Sequence, residues 1–140
     1  MSRSENMPVE SYAGFWPRLG AATLDMILVF GIATVSFFCT TVLFGEFGVI
    51  LGLVIYILGA WLYFAAMESS PMQATLGKKA FGIAVIGDQG ARISFNRASL
   101  RFGAKVGCCF IFGIGFILAA FSKQKRALHD RVANTYTIRL

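Results

Sequence analysis

Two apolar stretches decide the fold of this 140-residue chain: LGAATLDMILVFGIATVSFFCTTVLF, from Leu19 to Phe44, and FGVILGLVIYILGAWLYFAAM, from Phe47 to Met67. The first stretch carries one charge, Asp25, and the second carries none. As a helix with ~1.5 Å rise per residue, the first stretch would be about 39 Å long, which exceeds the roughly 30 Å hydrocarbon core of a bilayer. Both stretches are therefore predicted to be transmembrane helices, and the short Gly45–Glu46 link makes them an antiparallel hairpin.

The composition supports an integral membrane protein. Hydrophobic residues make up 56% of the chain and charged residues only 14%, whereas soluble domains carry about 25% charge. A chain of this size has too little interior to hide so many apolar side chains from water. The net charge is +6, and the Phe-rich apolar runs favour anionic lipid headgroups over nucleic acid as the partner of the basic residues.

A third apolar segment covers residues 102–122, but its uncharged run, from Val106 to Ser122, is shorter than the second stretch. Glycines interrupt it at Gly107, Gly113 and Gly115. Its uncharged part is at the short end of what one crossing needs, so the segment crosses once, crosses twice as two short helices, or re-enters the membrane.

The distribution of Lys and Arg predicts the orientation. None lies in the Gly45–Glu46 link, whereas six lie between residues 68 and 105 and five after Ser122. Cytoplasmic loops carry an excess of these residues. The polar tail 1–15, the segment 68–101 and the basic tail 123–140 are therefore predicted to be cytoplasmic, in a multi-pass protein of the cell membrane.

The cytoplasmic segment is predicted to contain a β-hairpin over residues 81–95. Phe81–Ile86 and Arg92–Phe95 have the composition of strands and flank an Asp88-Gln89-Gly90 turn. Residues 135–138 also resemble a strand, and they can join the hairpin only if both lie on the same side of the membrane. The predicted fold class is an all-α membrane protein with a small cytoplasmic β element.

Asp25 is the first candidate functional residue, because an acid within an apolar helix is costly and is a functional hypothesis by default. Arg18 lies seven residues earlier, on the same helix face and roughly 10 Å away along the axis. The alternative is structural: Arg18 reaches to the membrane surface, and Asp25 pairs with another helix.

Further candidates lie near the predicted membrane boundary. Glu68 ends the second helix and can join an ionic cluster with Arg18, and Asp130 follows the basic cluster near the C-terminus. His129 beside Asp130 is either a proton relay or a structural hydrogen-bonding group. Contact with lipid headgroups is assigned to Lys78, Lys79, Lys123, Lys125 and Arg126.

Several classes of site are not supported. The TLGKK stretch at 75–79 lacks the upstream glycine of a phosphate-binding loop, which argues against nucleotide binding. With one His and no chelating Cys pair, a metal site is poorly supported, and no cofactor is expected. Cys39, Cys108 and Cys109 lie in apolar runs and are expected to pack rather than form disulfides. No nucleophile–base pairing indicates an enzyme.

Four stretches, in order, resemble the RDD family of membrane proteins, which is named for one Arg and two Asp. They are FWPRLGAATLD at 15–25, Glu68 followed by QATLGK at 73–78, GIAV at 82–85 with Gly90 and Arg101, and LHD at 128–130 with Thr135. The likeness runs from about Tyr12 to the C-terminus. Arg18, Asp25 and Asp130 match the naming residues, and Asn134 stands where the family commonly has Gly.

The resemblance implies one membrane domain over residues 1–140, in a bacterial inner membrane. Some members of the family are proposed to exchange sodium or another monovalent cation for protons, and a eukaryotic relative of the domain is tied to scaffolding of a membrane assembly.

Two hypotheses of function follow. In the first, Asp25 and Arg18, with Asp130 and His129, transport a proton or monovalent cation as an antiporter. Two or three helices cannot enclose a complete ion pathway. This hypothesis therefore needs a homo-oligomer with Asp25 at the interface. In the second, Arg18, Asp25, Glu68 and Asp130 form a fixed ionic network in an accessory subunit of a larger membrane complex.

Overall fold

The computed structural model describes residues 11–110 and 128–140. Its main element is α1, Phe15–Ser69, a 55-residue apolar helix that is broken by non-helical backbone at Gly45 (φ 58°, ψ −134°). Within the described residues it is the one helix long and apolar enough to cross a membrane. We refer to residues 15–44 as the first arm and residues 46–69 as the second arm.

The two arms run antiparallel and pack closely near the break. A methyl group at Gly48 would lie 2.0 Å from the backbone oxygen of Thr40, and one at Gly52 would lie 2.7 Å from the Thr40 Oγ1. Further from the break, the Tyr63 hydroxyl of the second arm donates to Asp25 of the first arm at 2.8 Å. Glycine is thus needed at positions 48 and 52 so that the backbones of the two arms can approach each other.

The outward faces of both arms are apolar and exposed. Phe30, Phe38, Leu43, Phe47 and Ile50 are each exposed over more than 60% of their surface. Apolar surface of this extent on a monomer marks contact with a membrane or a protein partner. This agrees with the apolar composition.

Short elements gather at the end of the arms opposite Gly45. They are helix α2 (Leu76–Ala80), strand β1 (Ile83–Gly87), helix α3 (Phe95–Phe110), helix α4 (Leu128–Val132) and strand β2 (Thr135–Arg139). β1 pairs with β2 in an antiparallel sheet, with Ile83 opposite Arg139 and Gly87 opposite Thr135. The N-terminal segment joins this end, since the Ala13 N–H donates to the Thr137 carbonyl at 2.9 Å.

The predicted β-hairpin over residues 81–95 is wrong. The turn forms, with the Gly87 N–H donating to the Ala91 carbonyl at 2.9 Å, but residues 91–94 form no strand. The Ser94 hydroxyl instead accepts from the Arg97 N–H at 3.3 Å at the start of α3. The helix therefore begins where the second strand was expected, and β1 takes the C-terminal strand as its partner.

β1 is the centre of the packing. All five of its residues are buried. Val85 packs against Ala65 of the second arm, and Ile83 clusters with Ala21 of the first arm. The sheet therefore holds the two arms together at this end.

The prediction of a mostly helical chain with a small β element is confirmed. α3 begins at Phe95 and overlaps the start of the predicted third membrane segment, whose residues 111–122 lie outside the described residues. Asn134 has φ 50° and forms the turn into β2. Asn tolerates this left-handed backbone better than most residues.

Candidate functional site

Five buried side chains form a continuous chain of alternating charge, which we call the ionic chain. Arg18 donates to Asp130, and Arg101 donates to the second oxygen of Asp130 at 2.5 Å. Arg101 also donates to Glu68, whose other oxygen accepts from Lys78. Each carboxylate thus has two cationic partners, and Arg101 bridges the two carboxylates.

Each member of the ionic chain comes from a different part of the fold. Arg18 lies on the first arm, Glu68 at the end of the second arm, Lys78 on α2, Arg101 on α3 and Asp130 on α4. Charged groups are almost never buried unless they are paired, and each of these side chains is at most about a tenth exposed. The pairs therefore fix five elements against one another.

The charged groups of the ionic chain stabilise one another in their ionised forms. Burial disfavours the charged form of Asp130, but Arg18 and Arg101 outweigh it and hold the pKa of Asp130 well below its usual range. Burial likewise opposes ionisation of Arg101, but Glu68 and Asp130 raise its pKa. Both groups therefore stay ionised at neutral pH.

Asp25 lies beside the ionic chain and makes its own set of contacts. It is 1% exposed. Its Oδ1 accepts from the Tyr63 hydroxyl at 2.8 Å and from the Gly77 N–H at 2.9 Å. Its Oδ2 accepts from the Thr75 hydroxyl at 2.5 Å. Three donors of the same chain therefore solvate this carboxylate.

The loop before α2 is built around Asp25. The Thr75 hydroxyl also accepts from the Lys78 N–H at 3.3 Å and so caps α2. A methyl group at Gly77 would lie 2.2 Å from the Ala21 carbonyl oxygen and 2.8 Å from the Asp25 Cγ. Only glycine lets the loop approach the first arm closely enough to donate its N–H.

The structure brings the predicted candidates Arg18, Asp25, Glu68 and Asp130 to one end of the molecule. Arg18 binds Asp130 and the Ala13 carbonyl rather than Asp25. Asp25 is buried within the chain, and its place at an interface between copies stays a prediction.

The five residues predicted to contact lipid headgroups differ in their exposure and in whether the structure describes them. Lys78 is buried against Glu68 and does not face outward. Lys79 is exposed, and its contact with headgroups stays a prediction. Lys123, Lys125 and Arg126 lie outside the described residues.

Sequence reasoning missed Arg101 as a central member, together with the donors Tyr63, Thr75 and Gly77. Arg101 follows the buried Ala98 by three residues, so it continues the inward face of α3. That spacing is a signal of burial. The donors to Asp25 carry no comparable signal, because they come from 38 to 52 residues further along the chain.

No group of three or more His, Cys, Asp and Glu side chains in the described part of the chain is arranged to hold a metal ion. The carboxylates of Asp25, Glu68 and Asp130 instead accept from cationic side chains and hydrogen-bond donors of the chain.

His129 provides a prediction of pH dependence. It is buried, with its Nε2 3.5 Å from Asp130, and burial lowers its pKa to about 3 despite that carboxylate. Below the unfolded pKa of about 6.5, the unfolded chain binds a proton that the folded chain does not. Stability should fall from pH 6.5 to pH 5, with a slope that steepens to about 1.4 kcal/mol per pH unit as the unfolded histidine becomes fully protonated.

Thermal unfolding of the detergent-solubilised protein at pH 7, 6 and 5 measures this slope. His129 is the single histidine of the chain, so His129→Gln is the matched control and should flatten the dependence in this window. An unchanged slope in that variant would contradict the assignment.

Comparison with known proteins identifies the family of the chain. The model of the RDD family matches residues 12–134. No solved structure matches the chain. The family match includes every residue of the ionic chain and also Asp25.

Three proteins of Bacillus subtilis (strain 168) are similar to the chain. "Uncharacterized protein YckC" is 32% identical over 93% of the chain and 86% of its own length, and "Uncharacterized membrane protein YteJ" is 30% identical over 91% and 81%. "Uncharacterized protein YxaI" is 40% identical over 55% of the chain, and the chain spans 50% of its length. With the family model covering most of its length, the chain belongs to the RDD family of membrane proteins.

Proposed function

We propose that this chain is a non-enzymatic accessory or assembly subunit that binds a larger membrane protein through its helix hairpin. One observation carries the proposal: the buried acids have their partners within the protein. Glu68 and Asp130 each have two cationic partners, and Asp25 has three hydrogen-bond donors. Within the described residues these acids are already satisfied by the protein, as expected of a scaffold rather than of a cation-binding site.

The proposed topology has two crossings by α1, with Gly45 outside and both chain ends in the cytoplasm. The first arm is about 45 Å long and the second about 36 Å, and each exceeds a hydrocarbon core of roughly 30 Å. Strands β1 and β2 pair, and residue 13 bonds to β2. Three separated parts of the chain therefore share one side, and that side carries the basic residues.

Photo-crosslinking in native membranes tests the accessory role. A photoreactive phenylalanine analogue would replace Phe38 or Ile50, which are 68% and 62% exposed. A discrete adduct with another membrane protein is expected at these positions and not at Leu140, which is 81% exposed but lies outside the hairpin. Adducts restricted to lipid or to a second copy of the chain would contradict the proposal.

A second candidate function is exchange of protons for a monovalent cation. Burial lowers the pKa of Lys78 to about 7, although Glu68 opposes the shift. Lys78 also lines a small cavity together with Arg18 and Asp25. A buried ammonium group that exchanges its proton near neutral pH is suited to a proton relay.

Proton flux in liposomes separates the two functions. As a scaffold, the purified chain should give no cation-dependent proton flux above that of empty liposomes. Asp25→Asn is the informative variant. An amide oxygen can still accept from Tyr63 and Gly77, and the amide NH₂ can donate to the Thr75 hydroxyl, so the variant should stay folded. A flux in the wild type that this variant abolishes would overturn the accessory proposal in favour of transport.

A further inference from the structure

A small cavity with several charged side chains in its lining lies between the ionic chain and Asp25. Its volume is about 30 Å³, and roughly 10–15 Å³ is enough for one water molecule. It therefore has room for a water pair or a single monatomic ion. The charged or titratable residues that line it are Arg18, Asp25, Lys78, Arg101, Lys105 and His129.

Two buried donors next to this cavity have no protein acceptor within the described residues. They are the Nη2 of Arg18 and the Nε of Arg101, and their side chains are 6% and 1% exposed. A buried guanidinium N–H without an acceptor is costly. The arginines can only donate, so the missing group must be an acceptor.

The net charge of the residues around the cavity also favours an anion. Four cationic side chains, Arg18, Lys78, Arg101 and Lys105, line it. The three carboxylates that neutralise them are Asp25, Glu68 and Asp130, and His129 contributes no charge when neutral. While Lys78 is protonated, which holds below its pKa of about 7, one positive charge is left over. Asp25 lines the cavity as well, but its oxygens already accept from three donors of the chain.

We propose that this cavity is a binding site for a halide-sized monovalent anion, with chloride as the physiological form. The anion accepts from the Arg18 Nη2 and the Arg101 Nε and balances the cationic excess. A water molecule would accept the same hydrogen bonds, but it would leave the excess charge uncompensated. This site is independent of the accessory role, because it concerns the stability of the folded chain and not its partner.

Thermal unfolding of the full-length protein in detergent tests the site. The midpoint is measured in sodium chloride, sodium bromide and sodium gluconate at constant ionic strength. A ligand that binds the folded state stabilises it in a saturable way, so chloride and bromide should raise the midpoint and gluconate, which is too large for the cavity, should not. Equal midpoints in all three salts would mean that ordered water fills the cavity, and would overturn the proposal.

Two variants locate the effect without breaking the ionic chain. Lys105 lines the cavity and is partly exposed, with its Nζ 4.4 Å from the centre of the Phe64 ring. Lys105→Gln should therefore fold and weaken chloride binding by about tenfold or more. Ala22→Leu should fill the cavity and abolish the halide effect, whereas Ala66→Leu, at an exposed position of the second arm, should leave it unchanged. A halide effect that persists in both cavity variants would place the site elsewhere.

Discussion

Replacing Arg101 with methionine is expected to leave almost no folded protein. Arg101 is 1% exposed and donates to both Glu68 and Asp130. Removing one partner of a buried ion pair costs about 3–5 kcal/mol, because the remaining charge is stranded. Arg101 serves two buried carboxylates, so the loss should reach or exceed the upper end of that range. Total stabilities are only about 5–15 kcal/mol.

The measurement is the yield of monodisperse protein in detergent, followed by the midpoint of thermal unfolding. Arg97→Met is the matched control, since Arg97 lies one turn earlier on α3 and is exposed. Arg101→Lys should be intermediate, because an ammonium group keeps the charge but cannot reach two carboxylates with a rigid fork of donors. A midpoint for Arg101→Met equal to that of Arg97→Met would show that the ionic chain does not hold the elements together.

Acidification should also destabilise the folded protein by protonating the carboxylates of the ionic chain. The pKa of Asp130 lies well below its usual range in the folded chain, so its contribution to stability is complete above the unfolded pKa of about 3.9 and is lost as the pH falls below it. His129 acts at higher pH, from about 6.5 downward. The protein should therefore be destabilised by acid in two separate steps.

The helical part of the fold was predictable because it depends on local properties. The apolar runs on either side of Gly45 are long enough to span a bilayer wherever they occur in a chain, and a two-residue link forces them to fold back. The strand over residues 135–138 was also readable from its β-branched and aromatic residues. Its association with residues 81–86 was also expected, but the predicted strand at residues 92–95 was wrong, because the helix that begins at Phe95 removes these residues from the sheet.

The candidate site was predictable only in its most costly members. Asp25 stands out because a charge in an apolar run needs compensation, whatever its partner. The partner itself is set by tertiary structure: Arg18 meets Asp130 across 112 residues of sequence. Lys78 was predicted to contact lipid headgroups because nothing in the local sequence distinguishes it from Lys79. In the structure Lys78 is buried and Lys79 is exposed. Lys78 lies on the inner side of α2 because the contacts of Asp25 with the loop before α2 hold this helix against the first arm.

Gly77→Ala should be nearly as disruptive as loss of Arg101, although it removes no charge. The added methyl group would lie 2.2 Å from the Ala21 carbonyl oxygen, a backbone atom that cannot rotate away. The loop would have to move off the first arm. That movement would break the Gly77 N–H bond to Asp25 and stretch the Thr75 bond beside it. Overpacking and a partly desolvated carboxylate together should cost at least about 3 kcal/mol.

Thermal unfolding against Gly103→Ala measures the effect, because a methyl group at Gly103 meets nothing within 4 Å and should be neutral or slightly stabilising. A double-mutant cycle with Asp25→Ala then identifies the cause. If the loss in Gly77→Ala comes from displacing the loop away from Asp25, the double variant should lose less than the sum of the single losses, since the same hydrogen bonds cannot be broken twice. Strict additivity would mean that Gly77 acts through the first-arm backbone alone, and that the Asp25 contacts do not seat α2.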